Sequence, residues 1–134
     1  MSAPALRATR RISIPYGYQT PLPIMNAGHE VVASGHGGCT VGQQATVAIT
    51  ITQSMNNAIA TGEDVHMCTG QLHLWNATVT ADSASLFTNG DAEACGFATT
   101  RDSSGEVTDT YKWCRDVVLV SVEPELYLPL YLYE

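Results

Sequence analysis

From Ala45 the run ATVAITITQ alternates strictly, with Val47, Ile49 and Ile51 on one face and Thr46, Thr50 and Thr52 on the other. A period of two built from β-branched residues predicts a half-buried strand. Asn56-Asn57 follows as a turn signal, and NAIATGEDVHMC predicts a return strand interrupted at Gly62. Cys68-Thr69-Gly70 turns the chain into QLHLWNATVT, where His73, Trp75, Ala77 and Val79 share a face. The stretch around Leu86 and Phe87 ends at Asn89-Gly90, a tight-turn dipeptide. DAEACGFATTR then alternates again, Asp102 to Gly105 predicts a hairpin turn, and EVTDTYKW pairs back. DVVLVSV, from Asp116 to Val122, is the last strong strand. Turn signals spaced at roughly 8–15 residues, with no helical period between them, predict an all-β, immunoglobulin-like two-sheet sandwich.

Both ends depart from that rhythm. In ELYLPLYLYE, Leu126, Leu128, Leu130 and Leu132 take one face and Tyr127, Tyr131 and Tyr133 the other, with Pro129 between them. A strand apolar on both faces must be covered on both faces. Proline cannot donate to a central ladder, which predicts an edge or an arm. The N-terminal run ISIPYGYQTPLPI is likewise extended, aromatic and broken by prolines. The expected organisation is an extended N-terminal arm over 1–29, a sandwich over 30–123, and a C-terminal strand or arm over 124–134. The arms are expected to lie on neighbouring subunits and add strands to sheet edges, although both segments also suit folding back over their own sandwich. The contact residues expected are Arg10, Arg11, Tyr16 and Tyr18 in the first arm, and Tyr127, Leu128, Tyr131 and Tyr133 in the second.

Charge sharpens this picture. Arg7, Arg10 and Arg11 are three of the six basic residues, and no acidic residue precedes Glu30. The first 29 residues therefore carry +3 and the remainder −10, for a net −7 over 134 residues. An acidic body repels a polyanion and argues against direct nucleic-acid binding. Hydrophobic residues make up 45% and charged residues only 14%, enough apolar content for a core at this length. No run approaches the roughly 18 apolar residues of a spanning helix, so membrane insertion is not expected. The first residues have arginines but no apolar export core behind them. Even so, the body, with its four cysteines, one lysine and short alternating strands, reads as built for the outside of a cell.

Cys39, Cys68, Cys95 and Cys114 allow three disulfide pairings. The sequential one matches the strand reading, since each pair brackets neighbouring strands. A zinc reading competes, because His36-x-x-Cys39 and His66-x-Cys68 offer two imidazoles and two thiolates. Structural zinc sites favour paired CxxC or HxxxH spacings, which are missing here. Disulfides are the expectation, with no metal and no cofactor.

CTVGQQATVAITITQ, ATGEDVHMCTGQLHLWNATVT and LFTNGDAEACGFATTRDSSGEVTDT together resemble immunoglobulin-like domains of secreted actinobacterial proteins of unknown function. The positions that carry the likeness are Cys39, Gln53, Cys68, Gly70, Trp75, Phe87 and Gly90, over roughly 30–122. The resemblance implies a two-sheet sandwich with Cys39–Cys68 bridged. It implies no activity, and the second cysteine pair and both termini depart from the pattern.

Catalytic signatures are missing: there is no GxSxG, HExxH, P-loop or GxGxxG. Glu63-Asp64 and Asp91-x-Glu93 sit in or beside predicted turns, where carboxylates stay solvated and lack the raised pKa that acid–base work requires. The Asp102–Glu106 stretch offers oxygen ligands for calcium, but hairpin-turn chemistry explains the same residues. Asn76-Ala77-Thr78 is a glycosylation sequon. The expected function is a non-enzymatic structural protein: a virion component (capsid decoration or minor capsid) or an extracellular filament subunit, located in a virion or on an extracellular surface and partnered by copies of itself or a larger protein lattice. The alternative is a secreted or cell-surface module binding a glycan or protein.

Overall fold

The threonine-flanked alternation becomes the central strand of the molecule. In the computed structural model, which describes residues 12–14, 17–81 and 85–122, this strand is β4 (Gln44–Gln53). It buries Ala45, Val47, Ile49, Ile51 and Gln53 on one face. β5 (Ala58–Met67) pairs with it along its whole length, from Gln44↔Met67 to Gln53↔Ala58. The reversal between them is a 3₁₀ turn over Ser54–Asn56, closed by Asn57 in the left-handed region at φ 56°. β7 (Gly90–Arg101) pairs with the other edge of β4, and β8 (Val107–Ser121) runs antiparallel to β7. Two further strands, β3 (Glu30–Cys39) and β6 (His73–Ala81), pair from Glu30↔Thr80 to Gly37↔His73.

Short seams join these ladders. β5 meets β6 at Ala60↔Ala81 and Thr61↔Thr80. β2 (Leu22–Met25) lies between β3 and β8, antiparallel to the first at Ile24↔Val31 and parallel to the second from Leu22↔Leu119 to Ile24↔Ser121. The circuit β2-β3-β6-β5-β4-β7-β8 closes a seven-stranded barrel, with β1 (Ile12–Ser13) added on β3 at Ile12↔Cys39 and Ser13↔Gly38. The all-β expectation stands, but the ladder closes on itself where two open sheets were expected. Closure pairs strand edges that would otherwise remain templates for aggregation.

The N-terminal segment supplies part of the wall. Ile12, Ile14, Tyr18, Leu22 and Ile24 are all buried in the common core. Gln19 N–H donates to Ser34 O at 2.8 Å, and Ile12 N–H to Asp109 Oδ2 at 3.2 Å. The expected arm over 1–29 is therefore not a separate unit where it is described: from Ile12 onward it belongs to the barrel. Its strand β2 stands between β3 and β8 and pairs with both.

Large and small residues interlock inside. Trp75, Trp113 and Tyr18 form one aromatic cluster with ring centroids 5.6–6.0 Å apart. Elsewhere the core is built from small residues, with Ala58 and Ala60 on β5 and Ala92, Ala94 and Ala98 on β7 all buried. Two glycines complete the space. A Cβ at Gly35 would stand 2.5 Å from Gly17 O and 3.0 Å from the Trp75 ring, and one at Gly96 would stand 2.5 Å from the Trp113 ring directly opposite.

Three strand boundaries also differ from the sequence reading. EVTDTYKW and DVVLVSV form one continuous strand, because β8 tracks β7 without a break from Arg101 to Gly90 apart from one register shift. β5 passes straight through Gly62, and what stops there is its pairing with β6. A Cβ at Gly62 would stand 2.9 Å from the Thr78 carbonyl carbon, so glycine lets the two backbones come close. β3, EVVASGHGGC, has no counterpart in the sequence reading, because glycine weakens the strand signal that its pairing with β6 overrides.

Two disulfides, Cys39–Cys68 and Cys95–Cys114, brace this frame and leave no free cysteine. Cys39 ends β3, and Cys68 follows β5, whereas Cys95 and Cys114 sit directly opposite each other on β7 and β8. A bridge over 29 residues stabilises by about 3.5 kcal/mol in the chain-entropy model. Replacing Cys39 and Cys68 together by alanine is expected to lower Tm by about 10 °C in calorimetry, with the fold retained.

Candidate interaction surface

The register fixes where the described residues begin and end on the barrel. Ile12 sits beside Cys39 at one end of β3, while Ser121 lies level with Ile24, which pairs with Val31 near the other end. Those levels are separated by roughly 26 Å along the barrel at the usual strand rise. The described chain thus enters the barrel at one end and leaves it at the other, where Val122 N–H donates to Ile24 O at 3.3 Å.

Of the expected contact residues, Arg10, Arg11, Tyr16, Tyr127, Leu128, Tyr131 and Tyr133 lie outside the described residues, as does the segment 124–134. Tyr18 is described, and its position corrects the expectation. It is 7% exposed, packed between Trp75 and Trp113, and so belongs to its own chain's core. Burial pushes its hydroxyl well above the ordinary tyrosine value, with the Arg115 guanidinium pulling the other way. The apolar ring outweighed the exposed position that an arm would have given it.

One of the short seams in the wall lies between β5 and β6. Beyond Thr61↔Thr80 the β5–β6 ladder stops, so Gly62–Met67 and His73–Val79 face one another without backbone pairing. Inward-facing side chains of β5 and β6 occupy the split. Asp64 Oδ2 accepts the Asn76 N–H at 3.1 Å and lies 4.0 Å from His66 Nδ1. The His66 ring meets the His73 ring edge-on at 4.6 Å. Behind them Ile12, Ile14, Val47, Trp75 and Ala98 line a cavity of about 20 Å³, room for one water. On the outer surface Val65 of β5 and Leu74 of β6 lie beside the split, while Met67 at the end of β5 borders Gly42, Gln44 and Arg101, and Leu72, just before β6, lies against Gly38 of β3. Val65, Met67, Leu72 and Leu74 are 49%, 58%, 53% and 46% exposed.

Burial holds the His66 imidazole below its ordinary value of 6.5, Asp64 opposes this, and His73 adds to it. The unfolded chain therefore takes up a proton near pH 6.5 before the folded one does. Stability attributable to His66 is complete above that pH and is lost as the pH falls through it. Urea midpoints are expected to drop between pH 7.5 and 5, and His66→Gln to flatten that part of the profile.

At the far end of the barrel, Gln53, which is fully buried, ties the β4–β5 turn to the loop before β7. Its Nε2 donates to Thr88 O at 2.8 Å, and its Oε1 accepts the Thr88 N–H at 2.9 Å and Asn56 Nδ2 at 2.8 Å. Sequence reading used Gln53 only as a strand-end marker, since one polar residue at an inward position does not reveal which distant carbonyl it serves. Asp102 Oδ1 accepts the Ser104 Oγ–H at 2.6 Å and the Ser104 and Glu106 N–H groups, as hairpin-turn chemistry requires. The bond from Ser104 leads in holding its carboxyl below the usual range. Cys39 and Cys68 are bonded to each other, so neither offers the thiolate that the zinc reading needed.

Two disulfides fit an extracellular or secreted protein. Among the described residues, no helix is long and apolar enough to cross a membrane. No protein-family model matches the chain, and no curated protein matches it in sequence.

Proposed function

We propose that this chain is a non-enzymatic structural protein of an assembly, either a virion component of the capsid-decoration or minor-capsid kind or a subunit of an extracellular filament. The observation that carries this reading is the entry and exit of the described chain at opposite ends of a disulfide-braced barrel. Terminal segments so placed suit head-to-tail contacts, in which each copy presents a different surface to the copies before and after it. The sequence after Val122 adds the means. EPELYLPLYLYE is apolar on both faces of an extended strand and needs cover that one sheet face does not provide.

We also read the barrel as a flattened immunoglobulin-like sandwich, akin to the secreted actinobacterial domains that its cysteine and tryptophan pattern resembles. The support is that β5-β4-β7-β8 and β3-β6 carry the long ladders, while the seams between them are only two or three pairs long.

Light scattering on the oxidised full chain tests the function. The full chain is expected to associate with rising concentration, and Tyr131→Ser/Tyr133→Ser to remain a folded monomer. A full chain that stays monomeric would favour the binding-module alternative. Association undiminished in the double variant would remove the C-terminal segment from the proposal.

A further inference from the structure

We infer that the split between β5 and β6 is the acceptor groove for residues 123–134 of a second copy, an inference that rests on the assembly reading above. The first ground is the backbone. β5 is paired along its whole length with β4, and β6 along nearly all of its length with β3, but beyond Thr61↔Thr80 the two strands stop pairing with each other. Asp64 answers one of the N–H groups that this leaves, that of Asn76. An added extended segment supplies main-chain partners of the kind a strand edge recruits.

The second ground is the rim. Val65 on β5 and Leu74 on β6 are each about half exposed, with Met67 and Leu72 equally exposed near the mouth. They make the mouth of the split apolar, while Glu63, Asn76 and Thr78 line it further in. Leu126 to Tyr133 offers the complement, since leucines on one face and tyrosines on the other let the segment rest on the rim while its tyrosine hydroxyls stay solvated. Pro129 is tolerated because a segment laid at an edge needs donors on one side only.

The third ground is reach, which selects a second copy over the same one. Val122 leaves beside β2 and β8, and β3 and β6 stand between β2 and the split one way round the ring, β7, β4 and β5 between β8 and the split the other way. The mouth of the split at His73 pairs with Gly37, six residues further along β3 than Val31, or roughly 20 Å along the barrel. Twelve residues extend to about 40 Å. In its own copy the segment would spend most of that length travelling around and along the barrel. A copy stacked end to end brings the start of its segment beside the mouth of the next split.

The test uses the full oxidised chain. A photo-crosslinking phenylalanine analogue replaces Leu130, on the face that meets the rim, and light and heavy isotope-labelled chains are mixed so that crosslinks within and between copies differ in mass. Crosslinks between copies to Val65, Met67, Leu72 or Leu74 are expected. In parallel, Val65→Glu/Leu74→Glu changes only exposed positions and is expected to weaken self-association at least about 30-fold with unchanged thermal unfolding. Crosslinks between copies that fall elsewhere, or undiminished association of the double variant, would overturn the acceptor groove and leave the assembly reading standing. Crosslinks only within one copy would overturn the acceptor groove, and a monomeric full chain would overturn it and favour the binding-module alternative.

Discussion

A chain beginning at residue 26 is expected not to fold. It lacks Ile12, Ile14, Tyr18, Leu22 and Ile24, all buried in the core, and β2, through which β3 and β8 are joined. Burying an apolar side chain of this size is worth about 1.5–3 kcal/mol, so the loss is roughly 10 kcal/mol. That matches the whole net stability of an ordinary domain, about 5–15 kcal/mol. A chain beginning at Ile12 keeps all five residues and the Asp109–Ile12 contact, and is expected to unfold cooperatively like the full chain. Circular dichroism with urea titration separates the two. A cooperative transition in the shorter chain would show that the N-terminal segment is an appendage after all.

The second large effect is expected at Trp113 and Gly96, which face each other across β7 and β8. Trp113→Ala removes a buried indole that packs on Tyr18, Trp75 and Tyr111, at a cost of about 4 kcal/mol. Gly96→Ala should cost about 2–3 kcal/mol, because its methyl would meet ring atoms at 2.5 Å in a core that resists overpacking. The informative quantity is the double variant. The new methyl occupies space the indole has vacated, so the pair is expected to cost less than the two single changes together by at least about 1 kcal/mol. Simple additivity in urea denaturation would mean that the glycine serves the backbone and not the indole.

Much of the strand order was legible. β4 alternates so regularly that its buried face could be named residue by residue, and His73, Trp75, Ala77 and Val79 share the inward face of β6 as their spacing required. The Asn56-Asn57 turn and the Asp102–Gly105 hairpin sit where their turn chemistry put them. β3 was not legible, because Gly35, Gly37 and Gly38 remove the side chains from which periodicity is read. Their function appears only with the partner in place: the Trp75 ring stands where Cβ atoms at Gly35 and Gly37 would go. Within the candidate surface, Val65 and Leu74 looked like ordinary alternating strand positions. Nothing local shows that the ladder beside them ends at Thr61↔Thr80.

Local chemistry therefore determined the class of the fold, most strands, the two tight turns and a set of cysteines ready to be bridged, because alternation, turn propensity and thiol count act over a few residues. The tertiary structure alone decided that the wall closes into a ring, that Ile12 to Met25 belongs to that wall, and that Tyr18 is core. Each of these depends on how far apart two distant strands stand and what is left to fill the gap. No short stretch of the chain carries that information.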